Sequence, residues 1–247
     1  MDRMLFVAMA AAKQTMQAQS VAANNLANIN TTGFRKDLEA SMNVHVNGAG
    51  HPSRSYSVLT GQGFDASVSS LMQTGNPLDI AIQGEGWIAV QADDGTEAYT
   101  RAGNLQVNAN GNLQTAAGQL VLGNGGPITL PPYNRVDVGA DGTLSILPIG
   151  GNATNLAVVD RIRLVNPPAG DLYKAADGLM RIREGRPEAA ADAGVQVVAG
   201  SLESSNVNGV DEMIRQIELA RRFEAQIRMM SIAQELDQSS DDLLRNV

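Results

Sequence analysis

The run Leu78-Asp79-Ile80-Ala81-Ile82-Gln83-Gly84-Glu85-Gly86-Trp87-Ile88-Ala89 decides between two architectures. Its glycines form a G-x-G-x-x-A directly after an alternating apolar stretch, the pattern by which a strand delivers a dinucleotide to a helix N-terminus. That chemistry requires a helix after the second glycine. Here Trp87 to Gln91 is strand-like and ends at Asp93-Asp94-Gly95-Thr96, which leaves no room for one. Gly84 and Gly86 therefore read as turn residues, Trp87 as a core aromatic, and the whole stretch as antiparallel β structure.

Outward from this run the punctuation stays dense. Gly75-Asn76-Pro77, Asp94-Gly95, Asn110-Gly111, Asp141-Gly142 and Asp177-Gly178 are hairpin and turn signals. Leu78, Ile80 and Ile82 alternate with Asp79 and Ala81, and Arg161, Ile162, Arg163 and Leu164 alternate in the half-buried manner of an antiparallel strand. Residues 76–200 are expected to form one mainly antiparallel β domain. The stretch 34–75, rich in Ser, Gly and Asn, has no clear period and reads as an extended arm or linker.

Both ends switch to helical spacing. Leu5, Ala8, Ala12, Thr15, Gln19, Ala22, Leu26 and Ile29 step by three or four, with Met9, Met16 and Ala23 widening the stripe. A helix over most of residues 1–33 would be roughly 40 Å long, and Asn28-Ile29-Asn30-Thr31-Thr32-Gly33 would stop it through a left-handed Asn or Gly cap. Near the other end, Asn208 can cap a helix whose first turn holds Asp211 and Glu212 against the positive end of the dipole. Met213, Ile217, Ala220, Phe223, Ile227 and Met230 continue it, within a C-terminal helical segment 201–247. Acid-before-base pairs such as Glu218 with Arg222 support an exposed face. Stripes made mostly of Ala, Met, Thr and Gln bury little area, so these helices are expected to depend on partners. Seven of the ten methionines lie in them, where a flexible side chain suits packing against non-identical neighbours.

Composition narrows the chemistry. The 247 residues carry a formal charge of −8, which disfavours nucleic-acid and anionic membrane partners. No cysteine is present, so disulfides and thiolate metal sites are excluded. No run of about 18 apolar residues exists, so no membrane-spanning helix is expected. Arg3 followed by Met4 to Ala12 imitates a short secretory leader, but Asp2 cancels Arg3 and the helical period continues past Ala12, so an ordinary helix is the better reading. The two histidines, His45 and His51, stand in the arm without a thiol or a G-x-S-x-G elbow, and Asp93-Asp94 and Asp241-Asp242 are adjacent in sequence. Catalytic, metal and cofactor-binding residues are therefore assigned to none. Two other classes were weighed. A carbohydrate-binding or adhesin β domain would have only Tyr56, Tyr99, Tyr133, Tyr173 and Trp87 to offer, and a peptidoglycan-active enzyme would need a cleft with perturbed carboxylates.

Stretches along the whole chain carry a resemblance. Ala23-Asn24-Asn25-Leu26-Ala27-Asn28 with Asn30-Thr31-Thr32-Gly33-Phe34-Arg35 resembles the N-terminal signature of flagellar rod and hook proteins. Gly75 through Trp87 and Tyr99-Thr100-Arg101-Ala102-Gly103-Asn104 resemble that family's central β region, and Leu202-Glu203-Ser204-Ser205-Asn206-Val207-Asn208 through Phe223-Glu224 its closing signature. Trp87 stands where the family usually shows Phe. The opening Met1-Asp2-Arg3-Met4 and the single short β domain look most like the proximal rod type, with a distal rod or hook-type subunit as runner-up.

The resemblance implies an α+β fold in which long N- and C-terminal helices form an antiparallel pair beside a central antiparallel β domain. It implies a non-enzymatic building block that assembles with copies of itself and with other proximal and distal rod subunits in the periplasmic space. It also implies passage through the flagellar export apparatus without a cleaved signal, and no small-molecule substrate or cofactor. On that basis Leu5, Ala8, Ala12, Leu26, Met213, Ile217, Ala220, Phe223 and Ile227 are assigned to assembly interfaces. Asn24, Asn25, Asn28, Thr32, Gly33 and Phe34 are assigned to the turn from helix to arm.

Overall fold

The computed structural model describes residues 2–45, 55–150 and 156–245, so Met1 and His51 lie outside the described residues. The chain forms two compact units: Met1–Ile29, Lys36–Gly63 and Val207–Val247 make the first, Asn30–Arg35 and Phe64–Asn206 the second.

The first unit holds helix α1 (Asp2–Ala27), strands β1 (Asp37–His45) and β2 (Ser55–Phe64), which pair with each other, and helix α2 (Gly209–Arg245). The helices run antiparallel: Gly209 packs on Leu26 and Ile29, Gln216 donates to the Gln19 carbonyl at 3.1 Å, and Leu219 packs with Ala18 and Ala22. The expected α+β class and antiparallel terminal pair are thus present. Residues read as an aperiodic arm instead contain β1 and β2. Short alternations broken by Ser, Asn and Gly carried too weak a period to reveal strands whose partner is each other.

Among the described residues, the regular structure of the second unit is β apart from one 3-10 turn at Ala169–Asp171. Its strands begin with β3 (Leu71–Gln73), β4 (Ile80–Gln83), β5 (Trp87–Gln91), β6 (Glu97–Thr100), β7 (Leu105–Val107), β8 (Leu113–Thr115) and β9 (Leu120–Val121). They continue through β10 (Tyr133–Val138), β11 (Thr143–Pro148), β12 (Ala157–Arg161), β13 (Leu164–Val165), β14 (Leu172–Lys174), β15 (Met180–Ile182), β16 (Gln196–Ala199) and β17 (Ser201–Glu203). The main sheet runs β14-β15-β6-β5-β9-β8-β7, with β13 also on β5. A three-stranded sheet runs β10-β11-β12, and β16 pairs with β4 and β17 with β3, all antiparallel. Ser201–Glu203, grouped in the sequence reading with the C-terminal helix, is therefore strand.

Strand β5 separates two cores. Ile88 and Val90 point into the larger, with Ile80, Ile82, Leu113, Leu144 and Ile146, while Trp87 and Ala89 point into the smaller, with Tyr99, Leu172 and Met180. Burial on both faces explains why Trp87 to Val90 reads as an unbroken apolar run. It also confirms strand, not helix, after Gly86. The five turn glycines at positions 75, 95, 111, 142 and 178 all have positive φ. Acids serve two of these turns: Asp94 accepts from the Thr96 amide and hydroxyl, and Asp141 accepts likewise from Thr143. Those hydrogen bonds, the side-chain one foremost, hold both carboxyls below the ordinary range.

Gly103, between β6 and β7, packs directly against the start of β4. Its carbonyl accepts from the Ile80 amide at 2.9 Å, and a Cβ there would lie 1.7 Å from the Ile80 carbonyl oxygen. Gly103→Ala forces β4 off its ladder and is expected to destabilise the chain by about 2–4 kcal/mol, measured by urea unfolding. An unchanged midpoint would contradict this packing.

Candidate assembly site

The buried stripe of α1 is Ala8, Ala12, Thr15, Ala18, Ala22 and Asn25, flanked by half-buried Leu5 and Leu26. Met9, Met16 and Ala23, expected to widen this stripe, lie on the opposite side, with Met9 and Met16 exposed. The three-and-four spacing gave the period correctly, but alanine and methionine are both apolar enough to leave the direction of the seam ambiguous. Small residues face α2 because they let two helices approach closely.

On α2 the seam is formed by Glu212, Leu219 and Ala233, with Phe223, Gln226 and Met230 half-buried beside it. Met213, Ile217, Ala220 and Ile227 stay out of it and face solvent. At the start of α2, Val210, Met213, Ile214 and Ile217 are 66%, 55%, 52% and 56% exposed. Asn208 does cap the helix, its side-chain oxygen accepting from the Val210 amide at 3.1 Å. Asp211 and Glu212 stand in the first turn as expected, and Glu212 is also buried, with Lys36 Nζ 2.6 Å from its Oε1.

The turn out of α1 is built from side-chain amides. Asn25 is fully buried and clasps the Asp37 peptide from both ends, accepting from its amide at 2.8 Å and donating to its carbonyl at 3.0 Å. This copies a strand pairing with one side chain. Asn28 donates to the Asn24 carbonyl at 2.9 Å, closing the last turn of the helix. Of the two residue types that could turn left-handed here, glycine does so, since among the described residues only glycines have positive φ. Gly33 has φ +67°, and a Cβ on it would lie 2.3 Å from the Arg101 carbonyl carbon and oxygen. Thr32 is half-buried beside it. Phe34 accepts at its carbonyl from the Asn206 amide, and Lys174 Nζ stands 3.8 Å from its ring centroid while donating to the Arg35 carbonyl at 2.9 Å.

Gly33 and Phe34 border a buried charge cluster. The Glu203 carboxylate, fully buried, accepts from Arg35 Nη2 at 2.7 Å and the Ser69 amide at 2.9 Å on one oxygen, and from Arg101 Nη1 at 2.9 Å on the other. Arg35 also donates to the Ser67 carbonyl, and Arg101 to the Gly84 carbonyl at 2.8 Å. Both guanidiniums stand over Trp87, 5.8 and 5.4 Å from its ring centroid, and Phe64 meets Trp87 edge-on. Burial pulls Arg101 below its ordinary pKa, with Glu203 opposing and Arg35 adding to the shift. Two cations share one anion here. In the sequence, Arg35, Arg101 and Glu203 stand only as members of longer motifs. Nothing in a single sequence shows that residues 102 and 168 positions apart are partners.

Three family models match the chain. Residues 5–35 match one described as flagella basal body rod protein, residues 81–146 one described as flagellar hook protein FlgE/F/G D1 domain, and residues 198–243 one described as flagellar basal body rod FlgEFG protein C-terminal. The flagellar basal-body rod protein FlgF of Salmonella typhimurium is 40% identical over 249 residues, covering 99% of each chain. That of Escherichia coli is 40% identical over 236 residues, covering 94% of each. The flagellar basal-body rod protein FlgG of Bacillus subtilis is 31% identical over 267 residues, covering 99% of this chain and all of that one.

Removing the shared anion should be costly. Glu203→Ala strands two buried guanidiniums and is expected to destabilise the protein by about 3–5 kcal/mol in chemical denaturation. Arg35→Met in the same chain should recover part of that loss, because only one buried cation then lacks a counter-charge. Equal stability of Glu203→Ala and the parent would contradict the cluster's role.

Proposed function

Because the chain belongs to the flagellar basal-body rod protein family, we propose that it is a structural, non-catalytic subunit of the proximal part of the rod. It assembles there with copies of itself and with other rod subunits, in the periplasmic space, after passing through the flagellar export apparatus without a cleaved leader. The observation that carries this reading is the outer face of α2. Val210, Met213, Ile214 and Ile217 present large aliphatic side chains to solvent on a helix whose other side is already occupied by α1. A helix buried on one side by small residues and apolar on the other is built to be enclosed by neighbours. Met213, Ile217, Ala220 and Ile227 are assigned to that enclosure, and Leu5, Ala8, Ala12, Leu26 and Phe223 to the seam that holds the helix pair together. In the second unit, the charge cluster fixes the segments 30–35 and 203–206 from which the chain departs toward both helices.

Ile217→Asp tests the reading. The side chain is exposed, so the isolated protein should keep its stability within about 0.5 kcal/mol. In cells, the buried aspartate would cost too much at a packed contact, so rods should fail to form and swimming should stop. Normal swimming with the variant chain present in purified basal bodies would overturn the assignment.

A further inference from the structure

The outer face of α1 differs in kind from that of α2. From its N-terminal end it presents Phe6, Met9, Lys13, Met16, Ser20, Ala23 and Ala27, all exposed. The bulk is at the start, and small residues fill the last two turns. Lys13 is the one charged residue between Arg3 and Arg35. The outer face of α2 runs Val210, Ile214, Ile217, Arg221, Glu224, Arg228 and Ile232, again all exposed, with bulk concentrated in the first two turns.

We propose that the outer face of α2 docks against the outer face of α1 from a second copy of this chain, antiparallel, with Glu224 opposite Lys13. The inference rests on the rod-subunit reading and names the surface that covers α2. One register sets six of the seven α2 positions directly opposite outer-face residues of α1, and the seventh within one residue. Setting Glu224 against Lys13 places Val210, Ile214 and Ile217 over Ala27, Ala23 and Ser20, so large side chains meet small ones. The same register lays the stems of Arg221 and Arg228 along Met16 and Met9, and brings Ile232 to Phe6. A parallel alignment through the same charge pair leaves Val210 beyond the start of α1 and sets bulky Ile217 against bulky Phe6. The antiparallel register also nearly repeats the one within a single copy, where Gln216 meets Gln19. Each α2 then lies between its own α1 and a neighbour's. The two surfaces are different, so the contact is head-to-tail and propagates instead of closing on itself.

The absence of native cysteine makes a clean test. Ala23 and Ile214 lie on sides of their helices turned away from the seam within one copy, so a disulfide between cysteines at these positions joins two copies. In basal bodies from cells carrying A23C with I214C, mild oxidation is expected to give a ladder of dimers and higher multimers, which neither single variant gives. Lys13→Glu and Glu224→Lys should each lower the amount of this chain in basal bodies about five-fold, and the two together should restore it. Chain present in basal bodies but monomeric after oxidation would overturn the pairing and leave the rod-subunit reading standing. Absence of even the parent chain from basal bodies would overturn both. If the cysteine pair prevents incorporation, the charge exchange decides: recovery in the double variant supports the pairing, and no recovery refutes it.

Discussion

A single buried carboxylate holds the second unit in register. Glu203 lies on β17, yet its partners come from the stretch after α1 (Arg35), from the approach to β3 (Ser69) and from the end of β6 (Arg101). Removing charge from water is expensive, and the cluster tolerates it because each carboxylate oxygen has donors and both cations rest on an aromatic face. Closure around it is demanding: Gly33 must pass within contact of the Arg101 backbone, and its amide donates to the Glu203 carbonyl at 2.8 Å. Segments from the first and last fifths of the chain thereby become walls of one site.

The first unit is organised on different terms. Its helix seam is thin, drawn from alanines and one leucine, and it is supplemented by polar clasps: Asn25 on the Asp37 peptide, Lys36 on Glu212, and Gln216 on Gln19. Several of its larger apolar side chains, Phe6, Met9 and Met16 on α1 and Val210, Met213, Ile214 and Ile217 on α2, are outside. Ordinary soluble helices place bulk inward and polar groups outward. Inverting that arrangement sacrifices stability of the single chain and reserves apolar area for contacts with neighbours. The proposed rod function and the proposed pairing between copies both follow from this inversion.

The two halves of the chain differ in how openly they advertise themselves. In the β unit, local signals were strong because turn chemistry is local: Asp-Gly and Asn-Gly steps define hairpins whatever lies around them. Trp87 to Gln91 could be recognised as strand because no helix fits before Asp94. The segment 34–75 was opaque because β1 and β2 are specified by each other and β3 by β17, so neither carries a decisive pattern alone.

Sequence by itself determined the helical periods at both ends, the turn-bounded strands of the β unit, the absence of thiolate chemistry and the family signatures. Each of these depends on neighbours a few residues apart. Tertiary structure decided which side of each helix is the seam, since stripes of alanine and methionine are nearly equal in polarity and only packing distance separates them. It also decided that Glu212 and Glu203 are buried rather than solvated, because a carboxylate leaves water only where cations from distant segments arrive to meet it.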